Sequence, residues 1–130
     1  MITHIGQIAI AITNLDASVS FYRDVLGLPM LFEVAPNMAF FQCGDTRLML
    51  TTLQGPESDH QTSTIYYTVT NIAEVFASFE QASISVERPP QRAANMPDHE
   101  LWIGFIRDPD ANLIGIMEER PLIKAGSTND

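Results

Sequence analysis

The stretch Ile12-Thr13-Asn14-Leu15 returns as Val69-Thr70-Asn71-Ile72, an offset of 57 positions, and both copies stand at the same kind of boundary. Before the first copy, Gln7-Ile8-Ala9-Ile10-Ala11-Ile12 alternates small or polar residues with branched ones, the period of a strand with two unlike faces. After it the period lengthens: Leu15, Val19, Tyr22 and Leu26 fall on one face of a helix, with Asn14 placed as N-cap and Gly27 as C-cap. After the second copy, Ile72, Phe76 and Phe79 form a second helical apolar stripe.

Three short strands are expected after the first helix: Leu31 to Val34, Met38 to Cys43 and Arg47 to Thr51, parted by Pro36-Asn37 and Gly44-Asp45 turn chemistry. In the second half Ile84 and Val86 start a strand, Leu101 to Arg107 supply another, and Leu113 to Glu118 the last. The segment from Arg88 to Glu100, rich in Pro and Ala, reads as the longest irregular loop and a natural lid or rim. The expected class is therefore α+β. Two βαβββ modules, 1–53 and 64–119, would form one domain over 1–121, their mixed sheets curled into a cleft with the helices outside. Residues 54–63 read as a polar linker containing Gly55-Pro56, and residues 122–130 as a polar tail.

Composition narrows the partners. A chain of 130 residues with 45% apolar content can bury one core. Sixteen acidic residues against seven basic ones leave a net charge of −9 with no basic stripe, so nucleic acid and anionic membranes are repelled. A single cysteine, Cys43, permits no intrachain disulfide and fits a reducing compartment, the cytoplasm. No basic region followed by an apolar run opens the chain, and no segment approaches the ~20 apolar residues of a membrane helix.

The string Asn14-Leu15, then Ser20-Phe21-Tyr22-Arg23-Asp24-Val25-Leu26-Gly27-Leu28, with Asp108-Pro109-Asp110-Ala111-Asn112 before a final strand, resembles the vicinal oxygen chelate superfamily. That group includes glyoxalase I, bleomycin-resistance proteins, extradiol dioxygenases and methylmalonyl-CoA epimerase. The resemblance covers nearly the whole chain and speaks to fold more than to activity. It implies a homodimer and four metal-ligand positions, one on each of four cleft-facing strands. Those positions land on Gln7, Met49, Thr64 and Gly115.

The alternation places the same residues on the cleft side, because their branched neighbours must pack on the helices. A divalent metal that activates an oxygen substrate wants imidazole and carboxylate ligands with one position open. Gln7 offers only an amide oxygen, Met49 a thioether, Thr64 a neutral hydroxyl and Gly115 nothing. A shift of one residue, to Leu48, Leu50, Ile114 or Ile116, does no better. The expectation is a cleft without its metal and without a cofactor.

A packed sheet interior is the other reading of these positions. The face of Gln7, Ala9 and Ala11, with Thr64, Tyr66 and Thr68 opposite, is small and polar and favours a ligand cleft. Phe40, in parity with Met38 and Gln42, and Met117 are expected to line it. Arg47 shares the parity of Met49 and would favour an anionic group on the ligand, or else reach solvent at its strand end. His99 and Trp102 are expected at the rim. Asp59-His60 and Asp98-His99-Glu100 are the remaining clusters of ligand-type residues. Either they converge as an unconventional metal site or a general base, or they are solvated loop residues. Cys43 has no base partner and reads as structural.

Two functions of different class follow. The first is a metal-independent binding protein that sequesters or carries a small organic molecule. The second is a glyoxalase-like lyase, isomerase or dioxygenase-type enzyme with a rearranged site, for which His60, His99 and Glu100 are the only candidate bases.

Overall fold

The computed structural model describes residues 1–52 and 63–122. The strands are β1 (Gln7–Ile12), β2 (Met30–Val34), β3 (Met38–Cys43), β4 (Thr46–Thr52), β5 (Ile65–Thr68), β6 (Val86–Asn95), β7 (His99–Arg107) and β8 (Leu113–Pro121). The helices are α1 (Leu15–Ser20), continued by one π-helical turn over Phe21–Val25, and α2 (Ile72–Gln81). The order is βαβββ twice over, as the repeated Thr-Asn boundary requires.

The strands form two four-stranded sheets, in the order β1-β4-β3-β2 and β5-β8-β7-β6. In each, the first strand of the module runs parallel to the last, and the other neighbours are antiparallel. Contacts divide the chain into two compact units: β1 to β4 and α1 with the segment Asp108–Asn112, and β5 to β8 with α2.

In the first unit α1 lies against β4 and β3, and Ile10, Ile12, Leu15 and Val19 are buried, as are Leu48, Leu50 and Phe41. Asn14 accepts the amide of Ala17 through its side chain, which caps α1 as the spacing predicts. The expected helical stripe to Leu26 changes hand-hold after Ser20. Leu26 N–H bonds to Phe21 O at 3.0 Å, an i to i+5 step. Both Phe21 and Tyr22 are thereby turned inward, at 6% and 1% exposure. Gly27, at φ 73°, ends the turn in a conformation that a side chain would strain.

Asp108–Asn112 follows β7 in the chain but belongs to the first unit. Asp108 is buried and accepts the Tyr22 hydroxyl at 2.8 Å, the amides of Asp110 and Asn112, and the Asn112 side chain. Asp110 accepts the Thr13 hydroxyl, and the Asn112 side-chain amide donates to Ala11 O.

In the second unit Asn71 caps α2 by accepting the amide of Glu74, and Glu118 of β8 accepts the amide of Ile72 at 2.9 Å. Ile72, Phe76 and Phe79 are buried, as their stripe predicts. Gly104 lies beneath Phe76; a Cβ there would stand 2.5 Å from the Phe76 Cζ and 3.1 Å from the Pro90 backbone nitrogen. The far edge of the Phe76 ring thus fills the space that a side chain at position 104 would enter.

One expectation is overturned. Most of the Pro-rich stretch read as a lid loop, Arg88 to Glu100, is strand: β6 covers Val86–Asn95 and β7 already begins at His99. Proline is tolerated because β6 is an edge strand, where a missing N–H need break no ladder, and the pairing slips between Arg88 and Gln91, across Pro89 and Pro90. The linker interior (54–62) and most of the expected polar tail (123–130) lie outside the described residues, as do Asp59 and His60. Among the described residues no helix is long and apolar enough to cross a membrane.

Candidate functional site

Each unit presents one sheet face to its helix and one away from it, and the expected site residues fall mainly on the latter. In the first unit the register pairs Gln7 with Arg47, Ala9 with Met49, Phe40 with Met49, and Phe32 with Phe40. Residues paired in this way share a face. Arg47 Nε donates to Gln7 Oε1 at 2.8 Å, and Gln7 Nε2 approaches Met49 Sδ at 3.7 Å. The Arg47 guanidinium carbon lies 5.6 Å from the centroid of the Phe40 ring, on which Phe32 stacks at 4.6 Å. Gln7, Phe40, Arg47 and Met49 therefore come together. Arg47 is exposed, as the strand-end alternative foresaw, yet its Nε is engaged.

In the second unit Tyr66 pairs with Gly115, and Gly115 with Phe105. The Tyr66 ring covers Gly115 and meets Phe105 edge-on at 5.8 Å. Met117, half-buried, lies on the same face, paired with Thr68 and Ile103. Thr64 precedes β5 and is exposed. Arg88, hidden in the sequence by the loop reading of its segment, stands 4.8 Å from the Phe105 centroid. Only the strand parity of β6 would have revealed it.

Trp102 is placed elsewhere. It alternates with Leu101 and Ile103 and so occupies the helix side of β7, paired with Glu118 and Arg92. Its indole N–H donates to Glu100 Oε1 at 3.0 Å and its ring is covered by Arg120 at 4.4 Å, so Glu100 and Trp102 brace each other on the side of β7 opposite Phe105. His99 shares the parity of Phe105 but lies six residues along the strand, about 20 Å at the usual rise. Its Nδ1 is 2.7 Å from Asp98, and its Nε2 is 3.8 Å from Glu119. The hydrogen bond with His99 holds the Asp98 carboxyl below its ordinary value.

These side chains do not fit a divalent metal. The amide oxygen of Gln7 is taken by Arg47, its neighbour Met49 supplies a thioether, Thr64 a lone neutral hydroxyl, and Gly115 a Tyr66 ring in place of a donor. Among the described residues no three His, Cys, Asp or Glu side chains group closely enough to hold an ion.

No curated protein matches the sequence. Solved structures do. A lactoylglutathione lyase from Agrobacterium tumefaciens is 27% identical, with 89% of this chain and 93% of that chain covered at a TM-score of 0.70. A virulence protein from Salmonella typhimurium is 23% identical, over 91% of this chain and 98% of that one, at 0.72. A glyoxalase/bleomycin resistance protein/dioxygenase from Alicyclobacillus acidocaldarius is 17% identical, over 89% and 91%, at 0.68. The latter two show likeness of fold alone. The family model of the Glyoxalase/Bleomycin resistance protein/Dioxygenase superfamily matches residues 4–116. With the duplicated βαβββ order already established, the chain belongs to the glyoxalase/bleomycin resistance protein/dioxygenase superfamily.

Proposed function

We propose that this protein binds a small organic molecule on these sheet faces without the help of a divalent metal or other cofactor, sequestering or carrying it. The observation that supports this reading is the donor set at the four positions the resemblance marks for metal. An engaged amide, a thioether, a hydroxyl and a bare backbone cannot polarise a substrate oxygen through a shared ion. What the faces offer instead is aromatic, thioether and small-residue surface with a few polar groups, the usual lining for an organic ligand. We place the protein in the cytoplasm, on its single cysteine, and as a homodimer, on the resemblance.

Native mass spectrometry of the purified protein, with and without added Ni²⁺ or Mn²⁺, tests the proposal. The expected spectrum shows a dimer that takes up no stoichiometric metal and releases a co-purified organic mass. Stoichiometric metal uptake would overturn the reading.

One observation favours the enzyme alternative: the 27% identical relative is named as a lyase. In this chain the described candidate bases are His99, which lies between Asp98 and Glu119, and Glu100, which accepts the Trp102 indole N–H. Formation of lactoylglutathione by the protein, abolished by His99→Ala, would establish that version.

A further inference from the structure

Six arginines fall among the described residues, and four of them have carboxylate partners. Arg23 pairs with Asp24, Arg92 with Glu100, Arg107 with Glu87 and Arg120 with Glu118. Arg47 and Arg88 have no described carboxylate within salt-bridge distance, and both lie against a phenylalanine ring on the face turned away from the helix. In a chain with sixteen acidic residues, a surface arginine left without a carboxylate is conspicuous, and the two such arginines share one kind of setting.

That setting has a chemical direction. A guanidinium beside an aromatic ring is steered by the ring's electron-rich face, while its N–H groups remain free to take a planar acceptor in a forked pair of bonds. For Arg47 the bond from Nε to Gln7 Oε1 fixes the group and leaves its two terminal nitrogens for an incoming acceptor. Beside it the stacked pair Phe32–Phe40, with Phe32 49% exposed, supplies an apolar surface. Beside Arg88 the pair Phe105–Tyr66 does the same, with Tyr66 46% exposed.

We propose that each of these faces is a recognition site for a planar organic anion, an aromatic carboxylate whose ring lies on the aromatic pair and whose carboxylate is held by Arg47 or by Arg88. The assignment rests on the metal-free binding reading and narrows it to a ligand class. It also explains why Gln7 need not be a metal donor: its oxygen orients Arg47.

Isothermal titration with 2-naphthoate and with its neutral analogue 2-naphthamide provides the test. Naphthoate is expected to bind, and naphthamide about tenfold more weakly, since a charge-assisted bond outweighs a neutral one by about 1–1.5 kcal/mol. Arg47→Gln and Arg88→Gln are each expected to remove one naphthoate equivalent or weaken binding about tenfold, and the double variant to abolish it. Arg23→Gln, a surface change, is expected to bind as the parent does. Should a glutamine variant fail to fold, Arg47→Lys and Arg88→Lys keep the charge, lose the fork and are expected to weaken binding. Equal affinity for acid and amide, no binding of naphthoate, or undiminished binding in the folded double variant would overturn the assignment. Those results leave the metal-free reading standing, whereas stoichiometric metal in the mass spectrum removes that reading itself.

Discussion

The ring of Tyr66 occupies the space in which a side chain at position 115 would begin: a Cβ built on Gly115 would stand 2.4 Å from the Tyr66 Cδ2 and 2.9 Å from its Cγ. Since the clash includes the stem of the ring, rotation of its far end gives no relief. Gly115→Ala is therefore expected to cost about 1–3 kcal/mol, the range for overpacking. In a Tyr66→Ala background the same change is expected to be much milder. A double-mutant cycle by urea unfolding measures the coupling, and additive effects would contradict this account.

Tyr22 and Asp108 are both buried, and the hydroxyl donates to the carboxylate at 2.8 Å. Tyr22→Phe keeps the ring and deletes the donor. The expected loss is about 1.5–3 kcal/mol, as for a bond to a charged partner, seen as a lower urea midpoint at unchanged slope.

Asn14 and Asn71 hold equivalent caps, accepting the amides of Ala17 and Glu74. Alanine at either site is expected to cost about 1 kcal/mol. Thermal unfolding of the two single variants checks this, and a null effect at either would show that its cap is dispensable.

The Asp98 carboxyl is held below its ordinary value by the hydrogen bond with His99. A depressed carboxylate stabilises the fold above its unfolded-state pKa, and that contribution disappears as the pH falls through the folded value. Carbon-detected NMR titration should place the Asp98 midpoint below that of an unhindered aspartate. His99→Ala should raise it back, and an unmoved midpoint would exclude the pairing.

The alternation in Gln7–Ile12, the Asn14 cap and the return of its boundary at Thr70-Asn71 make the βαβββ order legible in the sequence, because each rests on local chemistry that the tertiary structure respects. Edge position was not readable. Pro89 and Pro90 signal a loop to any local rule, and they sit in a sheet because β6 is its edge strand among the described residues. That misreading concealed Arg88, which becomes visible as a face residue only once its register with Phe105 is known. Trp102 was misplaced for a related reason. Its aromatic and polar character suited a rim, but the parity of β7 puts it beside Glu118 and Arg120 on the helix side. The π-helical turn at Phe21–Val25 has no sequence mark of its own; packing of two adjacent aromatics, Phe21 and Tyr22, accompanies it.

The buried bond between Tyr22 and Asp108 ties residues 86 positions apart, across the boundary at which the repeat would be cut. A gene fragment ending after β4 would lack the acceptor for that hydroxyl, together with the partners of Thr13 and the Ala11 carbonyl. The two copies of the repeat are consequently no longer interchangeable parts. The earlier copy depends on a turn encoded in the later one, so a cut between the copies would part the buried Tyr22 hydroxyl from the buried Asp108 carboxylate.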